Sequence, residues 1–182
     1  GTTSVLLTQA ELQLEAGEHA AAVATLQRLE ERHAGQPAAL ALLARAYRAC
    51  GDRAALLRLL PQLGRARLLE AQRDEIALFA LREEFARADL TAKTLAELWA
   101  TLASELRMAP TLLAARALAL QRLGLGAEAE HELRTVLKRN WHPALVQAFG
   151  ELRGADPAKQ LKQAETWLKT YPEDAVLLLT AA

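Results

Sequence analysis

Leu40, Leu43, Ala44 and Tyr47 recur at i, i+3, i+4 and i+7, which is the apolar stripe of an amphipathic helix. Gly51 follows and ends that helix, because glycine tolerates the left-handed backbone of a helix terminus. Leu56, Leu60 and Leu63 then form the stripe of a second, antiparallel helix. The same order appears over residues 6–31, with Gly17, His19, Ala22 and Leu26. It returns in Leu113, Ala117, Leu120, Gly124, Ala129, Leu133 and Val136. Gly17 and Gly51 are 34 residues apart, and Gly51 and Gly124 are 73 apart, which leaves room for one divergent unit between them. Such a period marks a repeat architecture.

The pattern predicts first helices over 3–16, 37–50, 69–87, 110–123, 142–153 and 173–182. Second helices are predicted over 18–33, 52–63, 91–107, 127–139 and 157–170. Pro37, Pro110 and Pro143 stand where a first helix begins, the position at which proline costs least. Small residues in the second helices, Ala22 and Ala129, let the first helix approach closely. The long helix of the middle unit turns Ile76, Phe79, Ala80 and Phe85 inward and lacks a closing glycine; Asp89 is the expected cap of the helix after it. The expectation is therefore an all-α chain of about eleven helices, antiparallel pairs in a right-handed superhelix. It forms a single repeat domain over 1–182, with units at 3–35, 37–64, 69–107, 110–140 and 142–171 and the start of another at 173–182.

Composition supports the helical reading. The 182 residues include 40 Ala and 38 Leu but one Ile and five Val, so strand formers are scarce and sheet folds are close to excluded. The 22 basic and 22 acidic residues cancel, which argues against a nucleic-acid binder relying on a basic surface. The lone Cys50 cannot make an internal disulfide. The longest apolar run, residues 38–44, falls far short of the ~20 residues a membrane span needs. The N-terminus lacks the basic region of a signal peptide, and the last stretch stops in mid-helix, so the chain reads as a soluble fragment of something longer.

A helix–turn–helix unit of 34 residues with Leu/Ala, Gly, Ala and Pro at these offsets resembles the tetratricopeptide repeat (TPR). Gln13 stands at the tyrosine place of the first unit, and Gly154-Ala155-Asp156-Pro157 departs from the usual turn in the fifth. Three stretches, 6–22 (LLTQAELQLEAGEHAAA), 137–152 (LKRNWHPALVQAFGEL) and 158–179 (AKQLKQAETWLKTYPEDAVLLL), narrow the likeness. They are similar to the soluble repeat region of proteobacterial HemY-type proteins. That resemblance implies an inner-membrane protein linked to haem biosynthesis, with a missing N-terminal anchor and its repeat domain in the cytoplasm. It supplies no catalytic residues to carry over.

Candidate chemistry is sparse. His19, His33, His131 and His142 include no i,i+3 or i,i+4 pair, and Thr135 stands where a zincin motif begun by His131-Glu132 needs its second histidine. The histidines read as structural or solvated, with haem ligation by one of them or by Met108 the minor reading. Ser4 and Ser104 lie outside any Gly-x-Ser-x-Gly turn. Cys50 sits at a helix C-terminus, which raises a thiol pKa, and reads as a packing residue. Gly124-Leu125-Gly126 follows a helix rather than a strand, so it is a turn and no phosphate cradle. Glu83-Glu84 and Glu128/Glu130/Glu132 read as solvated faces with i,i+4 pairs. Trp99 and Trp167 read as core; Trp141 is either a plug between repeats or an exposed anchor for a partner.

The functional expectation is a non-enzymatic scaffold that binds a protein partner of the haem pathway in its concave groove. Its alternative is a haem or porphyrin carrier using the same groove; no other cofactor and no metal are expected. The groove-lining candidates are Leu7, Glu11, Ala41, Arg45, Ala114, Leu118, Gln147 and Glu151, joined by Thr8, Leu42, Ala115 and Ala148. Arg45 lies roughly 140° around the helix from Leu40, away from the core stripe. Repeats of this type that clamp a terminal carboxylate use several fixed donors here. One arginine cannot offset a carboxylate's desolvation, so an apolar or amphipathic helix or a flat hydrophobic ligand is expected. The uncapped ends are expected to self-associate.

Overall fold

The computed structural model describes residues 1–64, 66, 68–153 and 156–181. Gly154 and Ala155, expected in the divergent turn, and Ala182, the end of the range expected for the last helix, lie outside the described residues. Among them the chain is all helical, with no strand. The first six elements are α1 (Thr2–Glu15), α2 (His19–Arg32), α3 (Pro37–Ala49), α4 (Arg53–Arg58), α5 (Leu60–Leu63) and α6 (Glu70–Phe85). Then follow α7 (Ala92–Thr101), α8 (Ser104–Arg107), α9 (Pro110–Arg122), α10 (Gly126–Leu137), α11 (Pro143–Glu151), α12 (Pro157–Thr170) and α13 (Ala175–Ala181).

Among the described residues, eleven expected helices become thirteen because two second helices are interrupted. Pro61 accounts for the first break: without an N–H it cannot continue the α-helical ladder, and the chain tightens through Leu59 N–H to Leu56 O (3.2 Å) before α5 begins. The second break leaves Ala103 between α7 and α8, where it faces Gly64: a Cβ on that glycine would sit 3.1 Å from the Ala103 methyl.

Three helix pairs share one connector. In Ala16-Gly17-Glu18, Cys50-Gly51-Asp52 and Leu123-Gly124-Leu125 the central glycine has φ of 76°, 69° and 80°. The glycine N–H bonds back three residues, to Leu14, Arg48 and Gln121. The next N–H bonds back five, to Gln13, Tyr47 and Leu120. These paired bonds are the Schellman closure, and they reverse the chain within three residues. Pro37, Pro110 and Pro143 open α3, α9 and α11, as expected.

The chain divides into two compact units, Gly1–Glu84 with Thr101–Leu106, and Phe85–Ala100 with Arg107–Ala182. In the first, α1 packs on α2 and α3, α2 on α3, and α3 on α4. Its core holds Leu26, Leu29, Leu40, Leu56, Leu63 and Leu81, with Ala10 and Ala22 fully buried where helices approach closely. In the second, α9 packs on α10 and α11, α10 on α11, and α13 on α11 and α12. Leu95, Leu112, Leu133, Leu145 and Phe149 fill that core.

Asp89 pairs with Arg87 (2.8 Å), and at the start of α7 Thr91 Oγ1 accepts from Thr94 N–H (3.2 Å) and Thr94 Oγ1 from Thr91 N–H (3.0 Å). Two local expectations are corrected. Cys50 is exposed rather than packed, because it is the last residue before the turn glycine. Phe79 is half-buried, with the Arg48 guanidinium 4.4 Å above its ring.

A Cβ placed on Gly51 or Gly124 would meet nothing within 4 Å, so substitution there tests the backbone alone. Gly51→Ala and Gly124→Ala should each lose about 1–2 kcal/mol in urea denaturation from the left-handed penalty. The Asn variants should lose less, since asparagine tolerates that region. Equal losses for Ala and Asn would contradict this origin.

Candidate functional site

The candidate surface is built from the outward positions of the first helices. On the first unit, α1 presents Leu7 half-buried and Glu11 exposed, and α3, which packs on α1, presents Ala41 half-buried and Arg45 exposed. On the second, α9 presents Leu118 half-buried, and α11 presents Gln147 and Glu151 exposed, joined by a 2.9 Å bond from Gln147 Nε2 to Glu151 Oε1. Ala114 is a correction. It is only 9% exposed, so packing occupies it, as it does Leu42 and Ala148. Thr8 is exposed and Ala115 half-buried. Gln121, unnoticed in the sequence, ties α9 to the end of α11: its Oε1 accepts from Arg153 N–H at 2.6 Å and its Nε2 donates to Glu151 O at 3.3 Å.

Charges enter the interior more than expected. Glu84 is 5% exposed and accepts from Arg53 Nε at 2.9 Å. Glu130 is 8% exposed and pairs with Arg134 one turn on. Glu132 pairs across helices with Arg116 of α9, whose guanidinium also lies 5.3 Å from the centre of the half-buried Trp99 ring. Arg116 stands 73 residues after Leu43, a buried leucine, so the substitution was visible in the repeat alignment. Trp99 is thus a lid over a guanidinium rather than a core residue.

Trp141 is the plug. Its ring stacks on Tyr171 at 3.9 Å and meets Trp167 edge-on at 5.5 Å, and Trp167 meets Phe149 at 4.7 Å. Its Nε1–H donates to Asp174 Oδ2 at 2.9 Å, and Asp174 Oδ1 caps α13 by accepting from Leu177 N–H at 2.9 Å. Trp141, two residues before α11, is thereby fastened to the end of α12 and the start of α13. Trp167 is half-buried at the rim of this cluster rather than in the core. The signal for Asp174 was present as an aspartate one residue ahead of an apolar run.

The histidines are scattered. His33 and His131 are exposed, and His142 caps α11 by accepting from Ala144 N–H at 3.1 Å. His19 is half-buried; its Nδ1 is buried without a hydrogen-bond partner among the described residues. Met108 is 67% exposed. Among the described residues no three His, Cys, Asp or Glu side chains gather as metal ligands. Among the described residues of the first unit, an open cleft of about 740 Å³ runs along α1 and another of about 620 Å³ lies between α2, α3 and α5 beside Gln27, Glu30 and Tyr47. The chain matches no protein-family model, no curated protein and no solved structure.

The Leu177 N–H, followed by the Trp141 indole, holds the Asp174 carboxyl below its usual range. A depressed folded-state pKa gives stability that is complete above the unfolded value of about 3.9 and lost as pH falls through the lower folded value. The Trp141 indole N–H resonance should therefore move as pH is lowered beneath about 4. Asp174→Asn should remove that acid-range step, and an identical step in the variant would contradict the assignment.

Proposed function

We propose that the chain is a TPR-type scaffold in which helix pairs stack as a right-handed superhelix and the first helices line a binding groove. The observation that carries this reading is the recurrence of one connector, with its left-handed glycine, between the paired helices α1–α2, α3–α4 and α9–α10. Adjacent first helices support it, since α1 packs on α3, α9 on α11, and α11 on α13. Rows of equivalent helices present equivalent positions side by side, which is how repeat arrays make extended binding surfaces.

The outward positions favour shape over charge. Leu7, Ala41 and Leu118 are half-buried and apolar, and Glu11, Arg45 and Glu151 alternate in sign. Within each unit such positions suit the apolar stripe of an amphipathic helix rather than a lone carboxylate, which needs a cluster of donors. The partner is a protein of haem biosynthesis, on the strength of the likeness to HemY-type proteins. By the same likeness the full-length protein is anchored in the inner membrane with these repeats in the cytoplasm. No helix among the described residues is long and apolar enough to cross a membrane. The domain acts without catalysis of its own, by holding its partner in place.

A photocrosslinking residue at Ala41, in the full-length protein in bacterial cells, should capture one partner of that pathway. The same residue at the exposed Ala54 of α4 should not. Leu7→Glu should abolish capture, and affinity for the captured partner should change less than about tenfold between low and physiological salt, given so few facing charges. Equal capture from both positions would refute the groove. A saturable one-site Soret shift on titrating the chain with haem would replace the scaffold with the carrier.

A further inference from the structure

The cleft of about 620 Å³ between α2, α3 and α5 lies wholly within the first compact unit. Its size falls in the range of small-ligand sites, roughly 300–1,000 Å³. Buried Leu43 and Leu59 supply an apolar lining, and Gln27, Glu30, Glu31 and Gln62 supply a polar one. Leu43 and Tyr47, which line the cleft, each stand two residues beyond Ala41 and Arg45, or about 200° around the helix. The cleft therefore opens on the other side of α3 from the outward positions of the scaffold.

One group on the polar side is left unfinished by the fold. Glu30 Oε2 accepts from Gly35 N–H at 2.9 Å, which holds the carboxylate where α2 runs into the loop before α3. Glu30 Oε1 is buried and has no hydrogen-bond partner among the described residues. A carboxylate oxygen kept from water and left unpaired is costly, so a donor arriving from the cleft gains what the fold does not supply. Neither Glu30 nor Glu31 enters an ion pair among the described residues. Gln27 Nε2 donates to Tyr47 Oη at 3.2 Å, which leaves the Gln27 side-chain carbonyl as a further acceptor. The lining is thus rich in acceptors, two of its side chains are carboxylates, and hydrocarbon lies beside them.

We propose that this cleft binds a guanidinium carried on an aliphatic stem. The guanidinium takes Glu30 Oε1 after a small rotation of the carboxylate, and the stem lies against Leu43 and Leu59. A guanidinium brings five N–H donors and no acceptor, which suits a lining of oxygens. It is also more weakly hydrated than an ammonium, so it gives up less on leaving water. Two sources carry this chemistry, an arginine side chain of a partner protein and a free alkylguanidine. The site uses neither the outward groove positions nor the partner of the scaffold, so the two readings stand or fall separately.

Titration of residues 1–182 with butylguanidinium, followed by amide NMR, tests it. The Gly35 amide, bonded to Glu30, should shift saturably. Butylurea keeps the stem and the planar head without the charge, and should bind at least about tenfold more weakly. Glu30→Gln keeps an acceptor for Gly35 N–H and sets an amide NH2 in place of the open oxygen, so it should lose about tenfold or more in affinity. Gln62→Lys, at an exposed position where folding is not at stake, should weaken binding by setting a fixed cation at the cleft. Glu165→Gln, on exposed α12, should bind as the unmodified chain does. An acetylated Leu-Arg amide that binds about tenfold tighter than butylguanidinium assigns the site to a partner's arginine, and equal affinity assigns it to a free alkylguanidine. No saturable shift at tens of millimolar, equal affinity for butylurea, or unchanged binding in both Glu30→Gln and Gln62→Lys would overturn the proposal.

Discussion

The left-handed glycine between paired helices is the constraint on which the remaining architecture rests. At Gly17, Gly51 and Gly124 the chain must turn back within three residues while the last carbonyls of the helix are still satisfied. The five-residue backward bonds do both at once, at Gln13, Tyr47 and Leu120. A residue with a Cβ pays a steric cost in that conformation and would tend to release the turn. Once the reversal is set, the following helix lies along the preceding one, and its facing side chains are brought together whatever their type. Ala22 at 0% and Ala129 at 0% exposure are then consequences: only a methyl fits where two backbones approach so closely.

What the sequence disclosed is what the backbone demands locally. Glycine at a left-handed turn, proline at a first helical position and a leucine stripe at helical spacing each act within a few residues. That is why α2, α3, α9, α10 and α12 begin and end within about two residues of where the pattern placed them. Pro61 was equally legible, and the break between α4 and α5 follows from its missing N–H. The candidate surface was less legible. Ala41 and Ala114 share a repeat position, yet one is half-buried and the other buried, because exposure depends on the neighbouring unit as well as on the helix. The same holds for Glu84 and Glu130, which look like solvated carboxylates until Arg53 and Arg134 reach them.

Those interior charges bear on how helix pairs of similar shape find their order. A leucine at the stacking position, such as Leu43, packs against any apolar neighbour and discriminates poorly among units of similar shape. Arg116 at the corresponding place of α9 does not. It needs the Glu132 carboxylate and the Trp99 face together, and taking its charge out of water without them is costly. Net stability gained from such a pair is small, but the penalty for a wrong neighbour is large, so the charge selects the arrangement more than it strengthens it. Trp141 acts in the same sense with directional bonds: its stack on Tyr171 and its bond to Asp174 fit one seating of α13. A chain rich in Ala and Leu has many nearly equivalent ways to bury its helices. The few polar and aromatic residues placed between helices are what make one of them the native packing.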